Sequence, residues 1–240
     1  MRVRGGTALA VTGLLAVTGL VLSHSGPGDD VVNLLSGLPR DGVVATDEHG
    51  PQRSGPWLVT SGTLLTRDGN LWSGVPDAGP PAPTRGRTGS AVLRAVSRRR
   101  DFQDVHVHLR LRHATLSTSP RTPARAWDGV HVFLRYRDQD HLYSVDLQRR
   151  DGTLTIKRKS VGYETLAQGH SPAAAPGSWH TFDISVTDTP VGPRISLTMD
   201  GRLVLRAVDH DRAALRGPGR VGLRGDNADF TVGAFRVDPR

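Results

Sequence analysis

Three β-strand patterns follow one another between Val105 and Lys159, and they constrain the fold more than any other feature of the sequence. In each pattern, apolar residues alternate with His, Arg, Ser, Asp or Gln at a period of two. This period places the apolar side chains on one face of a strand and the polar side chains on the other. Only the residues from Arg137 to His141 separate the second run from the third. This short connection predicts an antiparallel hairpin. The chain therefore predicts a sheet with one buried face and one strongly polar face.

The rest of the chain repeats this pattern in shorter strands. Asp-Gly pairs that begin at Asp68, Asp151 and Asp200 predict tight turns between strands. The final strand changes phase between its two phenylalanines, which indicates a bulge near Gly233. No segment has the pattern of an amphipathic helix, and the strands recur about every 8–12 residues. These features predict an all-β fold, either a sandwich or a barrel.

The composition excludes cysteine-based chemistry and indicates a basic surface. The sequence has no cysteine, which excludes disulfides, lipidated cysteines, thiolate metal sites and cysteine nucleophiles. The formal net charge is +8, and a basic surface attracts acidic glycans, phosphate polymers, anionic lipids or nucleic acids. Lysine occurs only at Lys157 and Lys159 and glutamate only at Glu48 and Glu164, so coding bias toward Arg and Asp is the alternative source of this charge. We expect no nucleic-acid partner, because the chain also begins like an exported protein.

The segment Met1 to Leu22 has the layout of an export signal, since Arg2 and Arg4 precede an uncharged apolar run. The run is shorter than the ~20 apolar residues of a comfortable membrane span, which favours a cleaved signal peptide. An uncleaved signal anchor is the alternative, because no Ala-x-Ala site follows. In both cases we expect a secreted or cell-surface protein. We divide the chain into a signal or anchor (1–25), a tether and entry segment (26–56) and one domain (57–240), and expect a monomer.

Several motifs resemble the concanavalin A-like lectin and glucanase superfamily, which includes laminin G-like modules. They are WLVTSGTLL from Trp57, GVHVFLRY from Gly129, HLYSV from His141, WHTFDISV from Trp179, MDGRLV from Met199 and GRVGLR from Gly219. The similarity covers roughly Trp57 to Val237, and the chain looks most like exported proteins of actinobacterial type. The resemblance implies a jelly roll of two antiparallel sheets with ligands on the concave sheet. It does not imply a reaction.

The polar face of the central strands is the predicted ligand site. If these strands pair in chain order, their polar side chains share one surface, and two rings in flanking loops lie at its rim. Sugars bind to such mixtures of planar charged groups, amides and aromatic rings. The predicted binding residues are His106, His108, Arg110, His131, Phe133, Arg135, Ser144, Asp146, Gln148, Lys157, Trp127 and Tyr163, with Thr155 on the same surface. We expect Arg135→Ala to abolish glycan retention without changing stability; the alternative is a merely solvated face on which Arg135 pairs with Asp146.

Two enzymatic functions are alternatives to binding without catalysis. The superfamily's glucanases use paired carboxylates of a Glu-x-Asp-x-Glu type, and Glu48 and Glu164 stand in unlike contexts. A β-elimination lyase needs only a cation that neutralises a uronate and a side-chain base. The candidates for those roles are Arg135, His131, Tyr136, Tyr143 and Lys157, although the alternation assigns both tyrosines to the core. We favour a carbohydrate-binding module without catalysis, and keep a lyase or hydrolase acting on an acidic glycan and a purely structural or adhesive sandwich as alternatives.

We expect no cofactor. His106 and His108 point the same way on one strand, and His131 can add a third nitrogen, but no acidic partner at a fixed spacing completes a transition-metal site. A structural Ca²⁺ is the remaining possibility, because several acids cluster near the chain ends of the domain. These acids are Asp47, Glu48, Asp226, Asp229 and Asp238. The tripeptide that begins at Arg224 spells a cell-adhesion motif, and we interpret it as chance.

Overall fold

The computed structural model describes residues 30–47, 50, 52–76, 90–170 and 177–240, and these residues form β-strands joined by turns and loops, with no helix among them. The strands, in chain order, are β1 (Val32–Asn33), β2 (Gly42–Thr46), β3 (Gln52–Ser54), β4 (Trp57–Ser61), β5 (Thr63–Arg67), β6 (Asn70–Trp72), β7 (Val92–Ser97), β8 (Val105–Leu116), β9 (Gly129–Tyr136), β10 (Leu142–Leu147), β11 (Thr153–Lys159), β12 (Tyr163–His170), β13 (Trp179–Thr187), β14 (Arg194–Met199), β15 (Arg202–Val208), β16 (Arg220–Asp226) and β17 (Ala228–Pro239).

The strands form two sheets. Sheet I has the order β15-β14-β13-β8-β17-β6-β5-β2, with β1 also paired to β17. Sheet II has the order β12-β11-β10-β9-β16-β7-β4-β3. Neighbouring strands pair antiparallel in both sheets. The predicted fold class, an antiparallel β-sandwich, is confirmed.

Apolar side chains that point inward from both sheets form one core. Leu109 and Ile184 from sheet I and Val132 and Val145 from sheet II belong to it, and each is 0% exposed. All four have the phase that the alternation predicted to be internal. Burying one such side chain stabilises a fold by roughly 1.5–3 kcal/mol. With no cysteine in the sequence, this core carries the stability that a disulfide framework supplies in some domains.

The predicted turns are confirmed. Asp68 and Gly69 connect β5 to β6 with φ values of 52° and 74°, and Asp200 and Gly201 connect β14 to β15 with 47° and 78°. Two successive left-handed residues match the twist of an antiparallel hairpin, and Asp-Gly accommodates them at little steric cost. The predicted bulge near Gly233 is also present, since the register of β17 against β8 shifts between Val232 and Ala234.

The expected pairing of β8 with β9 is wrong. Strand β8 lies between β13 and β17 in sheet I, whereas β9 lies between β10 and β16 in sheet II. The connection 117–128 lets the chain cross from one sheet to the other, a distance of about 10 Å in a sandwich. As a result, His106, His108 and Arg110 lie on the outer face of sheet I and do not share a surface with the polar residues of β9–β11.

Arg135 departs from the expected alternation because a bulge interrupts β9. The register of β9 against β16 shifts there, and Arg135 has φ of 48°. Its guanidinium is fully buried and donates to Asp188 Oδ1 at 2.8 Å and to Asp104 Oδ1 at 2.9 Å. Both carboxylates flank strands of sheet I, so Arg135 ties one sheet to the other. The predicted pair with Asp146 is therefore wrong, and Arg135 is not part of an open face.

The chain before the domain is described only in part. The predicted signal or anchor segment, 1–25, lies outside the described residues, and so does Glu48. From Asp30 onward the entry segment supplies β1, β2 and β3, which pair with β17, β5 and β4. Trp57 anchors this segment, because its indole Nε1 donates to the carbonyl oxygen of Leu34 at 2.8 Å in the core. Within the described part of the chain, no helix has the length and apolar character needed to cross a membrane.

Candidate ligand-binding face

A transverse row of polar side chains crosses the outer face of sheet II. Cross-strand pairing aligns Arg94 with Arg224, Arg224 with His131, His131 with Asp146 and Asp146 with Thr155. These residues alternate with members of the core, so their side chains point away from it. We call these five residues the polar row. Opposite residues in an antiparallel pair are close enough for their side chains to interact directly.

His131 is the centre of the row and bridges two carboxylates. Its Nδ1 lies 2.8 Å from Asp146 Oδ1, and its Nε2 lies 3.0 Å from Asp226 Oδ2. An imidazole with carboxylate oxygens at both nitrogens donates from both only when it is protonated. Burial lowers the pKa of His131, but the two carboxylates outweigh burial and raise that pKa to about 8. The ring is therefore an imidazolium at neutral pH.

Asp146 gathers most of the remaining donors. It accepts hydrogen bonds from Ser144 Oγ at 2.5 Å and Thr155 Oγ1 at 2.6 Å, and it lies 2.7 Å from Lys157 Nζ. Burial raises the pKa of this carboxyl, but His131 and Lys157 outweigh burial and hold it well below its usual range. Asp146 is thus a fixed anion that holds its neighbours in place.

Asp226 forms the second anionic centre. Arg224, two residues earlier on the same face of β16, donates to it in a bidentate pair at 2.7 and 2.8 Å. Burial acts to raise the pKa of Asp226, whereas Arg224 and His131 together lower it. The arginine of the cell-adhesion tripeptide therefore pairs with the aspartate of the same tripeptide.

Several groups beside this buried network reach solvent. Arg94 and Arg224 are half-buried, and Lys157 lies beside them on the same face. Tyr163 on the edge strand β12 is 51% exposed, and its ring centroid lies 5.7 Å from Lys157 Nζ and 5.3 Å from Lys159 Nζ. The face thus presents guanidinium and ammonium donors next to one accessible aromatic ring. Buried carboxylates hold these donors in fixed positions, which lowers the entropic cost of binding.

The expected ring in the middle of the face, Phe133, is buried. It stacks on Tyr136 with ring centroids 5.6 Å apart and forms a small apolar cluster with Val96 and Leu142. The bulge at Arg135 reverses the phase of β9 and brings Tyr136 onto the same face as Phe133. Tyr136 was predicted to point into the core, and this expectation is wrong. Phe133 lies on the outer face but is buried by these neighbours, so its ring is not accessible to a ligand.

The polar residues of β8 form a separate cluster on the outer face of sheet I. His108 Nδ1 lies 3.0 Å from Asp183 Oδ1, and His106 Nε2 lies 3.2 Å from the same oxygen. The guanidinium carbon of Arg110 lies 4.2 Å from the ring centroid of Trp179. These contacts involve partners from β13, so this half of the predicted site belongs to another surface.

Two predicted residues lie at the end of sheet II. Gln148 is buried with φ of 49°, and its side-chain amide has no hydrogen-bond partner among the described residues. Trp127 is 43% exposed in the loop before β9, and this loop is attached to the β10–β11 turn through Asp151 N and the carbonyl oxygen of Ala126. Trp127 therefore lies at the same end of sheet II as Arg149. The guanidinium of Arg149 lies 3.5 Å from Asp146 Oδ2.

The residues proposed for lyase chemistry do not come together. Tyr143 points into the sandwich and donates to Asp209 Oδ2 at 2.7 Å, on the opposite face of sheet II from His131. Burial and Asp209 raise the pKa of Tyr143. Arg135 is enclosed at the end of the sandwich and Tyr136 is buried in the apolar cluster with Phe133, so only His131 and Lys157 of that set belong to the polar network.

Three of the acids considered for Ca²⁺ contact different residues. Asp229 accepts from the indole Nε1 of Trp72 at 2.8 Å, and Asp238 lies 3.7 Å from His106 Nδ1, while Asp226 lies 3.0 Å from His131 Nε2 beside the polar row. The described residues contain no group of three or more His, Cys, Asp or Glu that can hold a metal ion.

Arg94, Arg224 and Asp226 were not predicted as ligand-binding residues. Their strands β7 and β16 are recognisable from alternation, but their position beside β9 depends on pairings between distant parts of the sequence. The spacing of Arg224 and Asp226 is the only local signal, because residues two apart on a strand share a face.

No protein-family model matches the sequence, and no curated protein is significantly similar to it. Solved structures do match the fold. Lectin II from Ulex europaeus is 10% identical, with 88% of this chain and 98% of that lectin covered and a TM-score of 0.57. The Lotus tetragonolobus seed lectin is also 10% identical, with coverage of 83% and 98% and a TM-score of 0.56.

A third match is the carbohydrate-binding module CBM66 from Bacillus subtilis, which is 11% identical, with 84% of this chain and 97% of that module covered and a TM-score of 0.51. Identities this low establish the architecture and leave the ligand open. The fold that the sequence motifs suggested is thus confirmed: the chain is a concanavalin A-like jelly roll.

Proposed function

We propose that this protein is a non-catalytic carbohydrate-binding module that recognises an extracellular glycan on the outer face of sheet II. The polar row is the observation that carries the proposal, because buried carboxylates in it and beside it hold partly exposed donors next to an accessible ring. Structures of the same fold whose names describe a carbohydrate-binding module and two lectins support this proposal.

The row and its neighbours offer the groups that sugar recognition uses. Arg94, Arg224 and Lys157 present N–H donors to hydroxyl or carboxylate oxygens. Tyr163 offers a flat surface for the apolar face of a sugar ring. Because Asp146 and Asp226 already fix the cationic side chains, a glycan meets donors whose conformations change little on binding.

The charge of this face favours an acidic glycan. Asp146, Asp226 and, through Arg149, Asp151 are the carboxylates that contact its basic groups. The basic groups within the row or in contact with its carboxylates are Arg94, Arg149, Arg224, Lys157 and protonated His131. Cationic groups therefore outnumber carboxylates, and the excess attracts uronate, sulfate or phosphate substituents.

The protonation states argue against glycoside hydrolysis by the polar row. An acid catalyst of this kind needs a carboxyl with a raised pKa, but surrounding cations lower the pKa of both Asp146 and Asp226. His131 is an equally poor base for a lyase, because both of its nitrogens face carboxylates and its pKa is raised to about 8.

The proposal includes export of the protein from the cytoplasm. The signal-like segment Met1 to Leu22 supports secretion or, if it is uncleaved, attachment to the membrane outside the cytoplasm. Mass spectrometry of the protein made in an exporting host tests this step. An N-terminus near His24 or Gly26 means cleavage, an intact Met1 in the membrane fraction means an anchor, and an intact Met1 in the cytoplasm contradicts export.

The binding proposal is tested by a glycan array of neutral, uronate, sulfated and phosphorylated polysaccharides, probed with the full chain beside an ultraviolet assay for unsaturated uronate. We expect retention without product. Tyr163→Ala is expected to weaken retention about tenfold through loss of the stacking surface. Leu203→Ala is the matched control, because Leu203 is 54% exposed on the outer face of sheet I and should leave retention unchanged.

Each other outcome points to one alternative. Formation of unsaturated product establishes a lyase and contradicts the non-catalytic assignment. Absence of retention on every glycan leaves the structural or adhesive sandwich. Equal retention by wild type and Tyr163→Ala removes the ring from the site.

A further inference from the structure

A recess lined by arginines lies at the end of the outer face of sheet II. Its volume is about 520 Å³. The lining residues are Arg53, Gly55, Leu58, Arg98, Arg99, Arg100 and Arg220. The arginines come from β3, the loop after β7 and the start of β16, so three separate segments place guanidinium groups around one hollow.

The walls of the recess are held by the backbone. Arg98 N donates to the carbonyl oxygen of Pro56 at 2.7 Å, and Phe102 and Gly219 exchange backbone hydrogen bonds at 3.1 and 3.0 Å. Arg220 Nη1 donates to the carbonyl oxygen of Ser97 at 2.7 Å. The loop that carries three consecutive arginines is thus attached on both sides, and the hollow is preformed.

The positive charge of the recess is poorly neutralised. Arg99 forms a bidentate pair with Asp101 at 2.8 and 3.0 Å, and Asp30 acts on it at longer range. Among the described residues, the side chains of Arg53 and Arg100 have no hydrogen-bond or ion-pair partner, and neither Arg98 nor Arg220 has a carboxylate partner. Burial and repulsion from Arg100 and Arg53 lower the pKa of Arg220.

This arrangement differs from the polar row, where carboxylates contact Arg224 and Lys157 directly. Like charges brought into one hollow repel each other unless an anion enters between them. Guanidinium groups bind planar or tetrahedral oxyanions through paired hydrogen bonds, which suits carboxylate, sulfate and phosphate. The recess therefore has the composition and the rigidity of an oxyanion site.

The position of the recess connects it to the polar row. Arg220 and Arg224 lie on the same face of β16 and are four residues apart. At about 3.3 Å per residue, the two lie about 13 Å apart along the strand. A single extended chain with several anionic groups can therefore contact both.

We propose that the arginine recess is a second subsite, which binds the sulfate, phosphate or carboxylate groups of an acidic glycan and selects it over a neutral one. The role of a glycan as the carrier of the anion rests on the proposed function, whereas the oxyanion site does not. A single-stranded nucleic acid fits less well, because no aromatic side chain is among the described residues that line the recess to stack against a base.

The test uses the full chain with pyrophosphate and dextran sulfate as probes and unmodified dextran as the neutral polymer. The variant is Arg53→Gln with Arg100→Gln, two arginines with no described partner. The control is Arg202→Gln with Arg206→Gln, two exposed arginines of β15 in sheet I, which removes the same charge elsewhere. Melting temperatures of both double variants are measured first and should match the wild type.

We expect the recess variant to lose about tenfold in affinity per guanidinium for pyrophosphate and for dextran sulfate, while the control loses less than about twofold. Equal loss in both variants means that binding follows net charge alone and overturns the site. Failure of wild type to bind either anion also overturns it, whatever the array shows for the polar row.

The remaining outcomes separate the carriers of the anion. Recess-dependent binding of pyrophosphate without binding of dextran sulfate overturns the glycan assignment and leaves a site for a small free anion. A single-stranded oligonucleotide that displaces dextran sulfate from wild type, and binds the recess variant at least tenfold more weakly, overturns it in favour of nucleic acid. Failure of Tyr163→Ala to alter glycan retention removes the ring from the polar-row site and leaves the recess proposal unchanged.

Discussion

The outer faces of the two sheets carry the same residue types, yet the histidine and aspartate side chains are buried on sheet II and partly exposed on sheet I. On sheet II, the side chains of His131, Asp146 and Asp226 are 7%, 2% and 2% exposed, and the imidazole touches both carboxylates. On sheet I, the side chains of His108 and Asp183 are 37% and 30% exposed, although their ring-to-carboxylate distance is similar. One face therefore contains a buried ionic network, and the other contains solvated pairs.

The difference shows what alternation does and does not establish. Alternation assigns a side chain to the outer face of its strand, but the neighbouring strands decide whether that side chain is buried among other charges. Buried pairs have large effects when one partner is removed, whereas exposed pairs contribute about 0–1 kcal/mol. Substitutions at buried and at exposed ion pairs should therefore differ in effect, and we expect the largest effect at Arg135, which joins the two sheets.

Arg135→Ala is expected to cause the largest loss of stability. The substitution removes a fully buried guanidinium and leaves Asp104 and Asp188 without their cation, which costs about 3 kcal/mol. Urea unfolding of the variant and the wild type measures this loss. Arg110→Ala, on the exposed outer face of sheet I, is the control and should change stability by less than about 1 kcal/mol. A loss below about 1 kcal/mol for Arg135→Ala would show that Arg135 does not tie the sheets together.

His131 is expected to make stability depend on pH near neutrality. Its pKa rises from 6.5 to about 8 on folding, so its contribution is fully present below pH 6.5 and is lost as pH rises through 8. The shift corresponds to about 2 kcal/mol. The difference in unfolding free energy between wild type and His131→Gln should therefore shrink by about 2 kcal/mol from pH 6 to pH 9.

The matched control for that titration is His106→Gln on the outer face of sheet I. This variant should retain the steep loss of stability that the wild type shows between pH 6 and pH 9. A difference between wild type and His131→Gln that is constant across this range would contradict a buried imidazolium.

Lys157→Gln is expected to weaken glycan retention about tenfold, because it removes a cation from the face that Tyr163 borders. Retention is measured on the glycan array at two salt concentrations, since an ionic contact weakens as salt rises. Arg206→Gln, an exposed arginine of sheet I, removes the same charge and should leave retention unchanged. Equal losses for the two variants would show that retention depends on net charge and not on a specific site at Lys157.

The smallest effect is expected for His108→Ala. Its contact with Asp183 is partly exposed, so its removal should change stability by less than about 1 kcal/mol and leave glycan retention unaltered. Thermal unfolding and array retention measure the two quantities. A loss of retention here would move the ligand site to sheet I.

Much of the fold was predictable because the decisive signals are local. The alternation around Val132 and Val145 identified the core, and Asp68-Gly69 and Asp200-Gly201 marked two hairpins. A change of phase also located the bulge near Gly233. Each of these features depends on residues that are neighbours in the sequence.

The candidate site was predictable only in part. His131, Asp146 and Lys157 fell on one face because β9, β10 and β11 follow one another in the chain and pair in that order. The sheet that β8 joins and the contribution of Arg224 depend on pairings between distant segments. Arg135 was misassigned because a one-residue bulge reverses the phase of every residue beyond it.

The central claim is that a glycan binds the outer face of sheet II, and NMR mapping with the glycan retained most strongly on the array tests it most directly. Amide shifts are recorded for the full chain with and without that glycan. The largest changes are expected at Arg94, Arg224 and Lys157, with Tyr163 at their border. Changes centred on Trp179 and Arg110 of sheet I, or no changes with any glycan tested, would contradict the account.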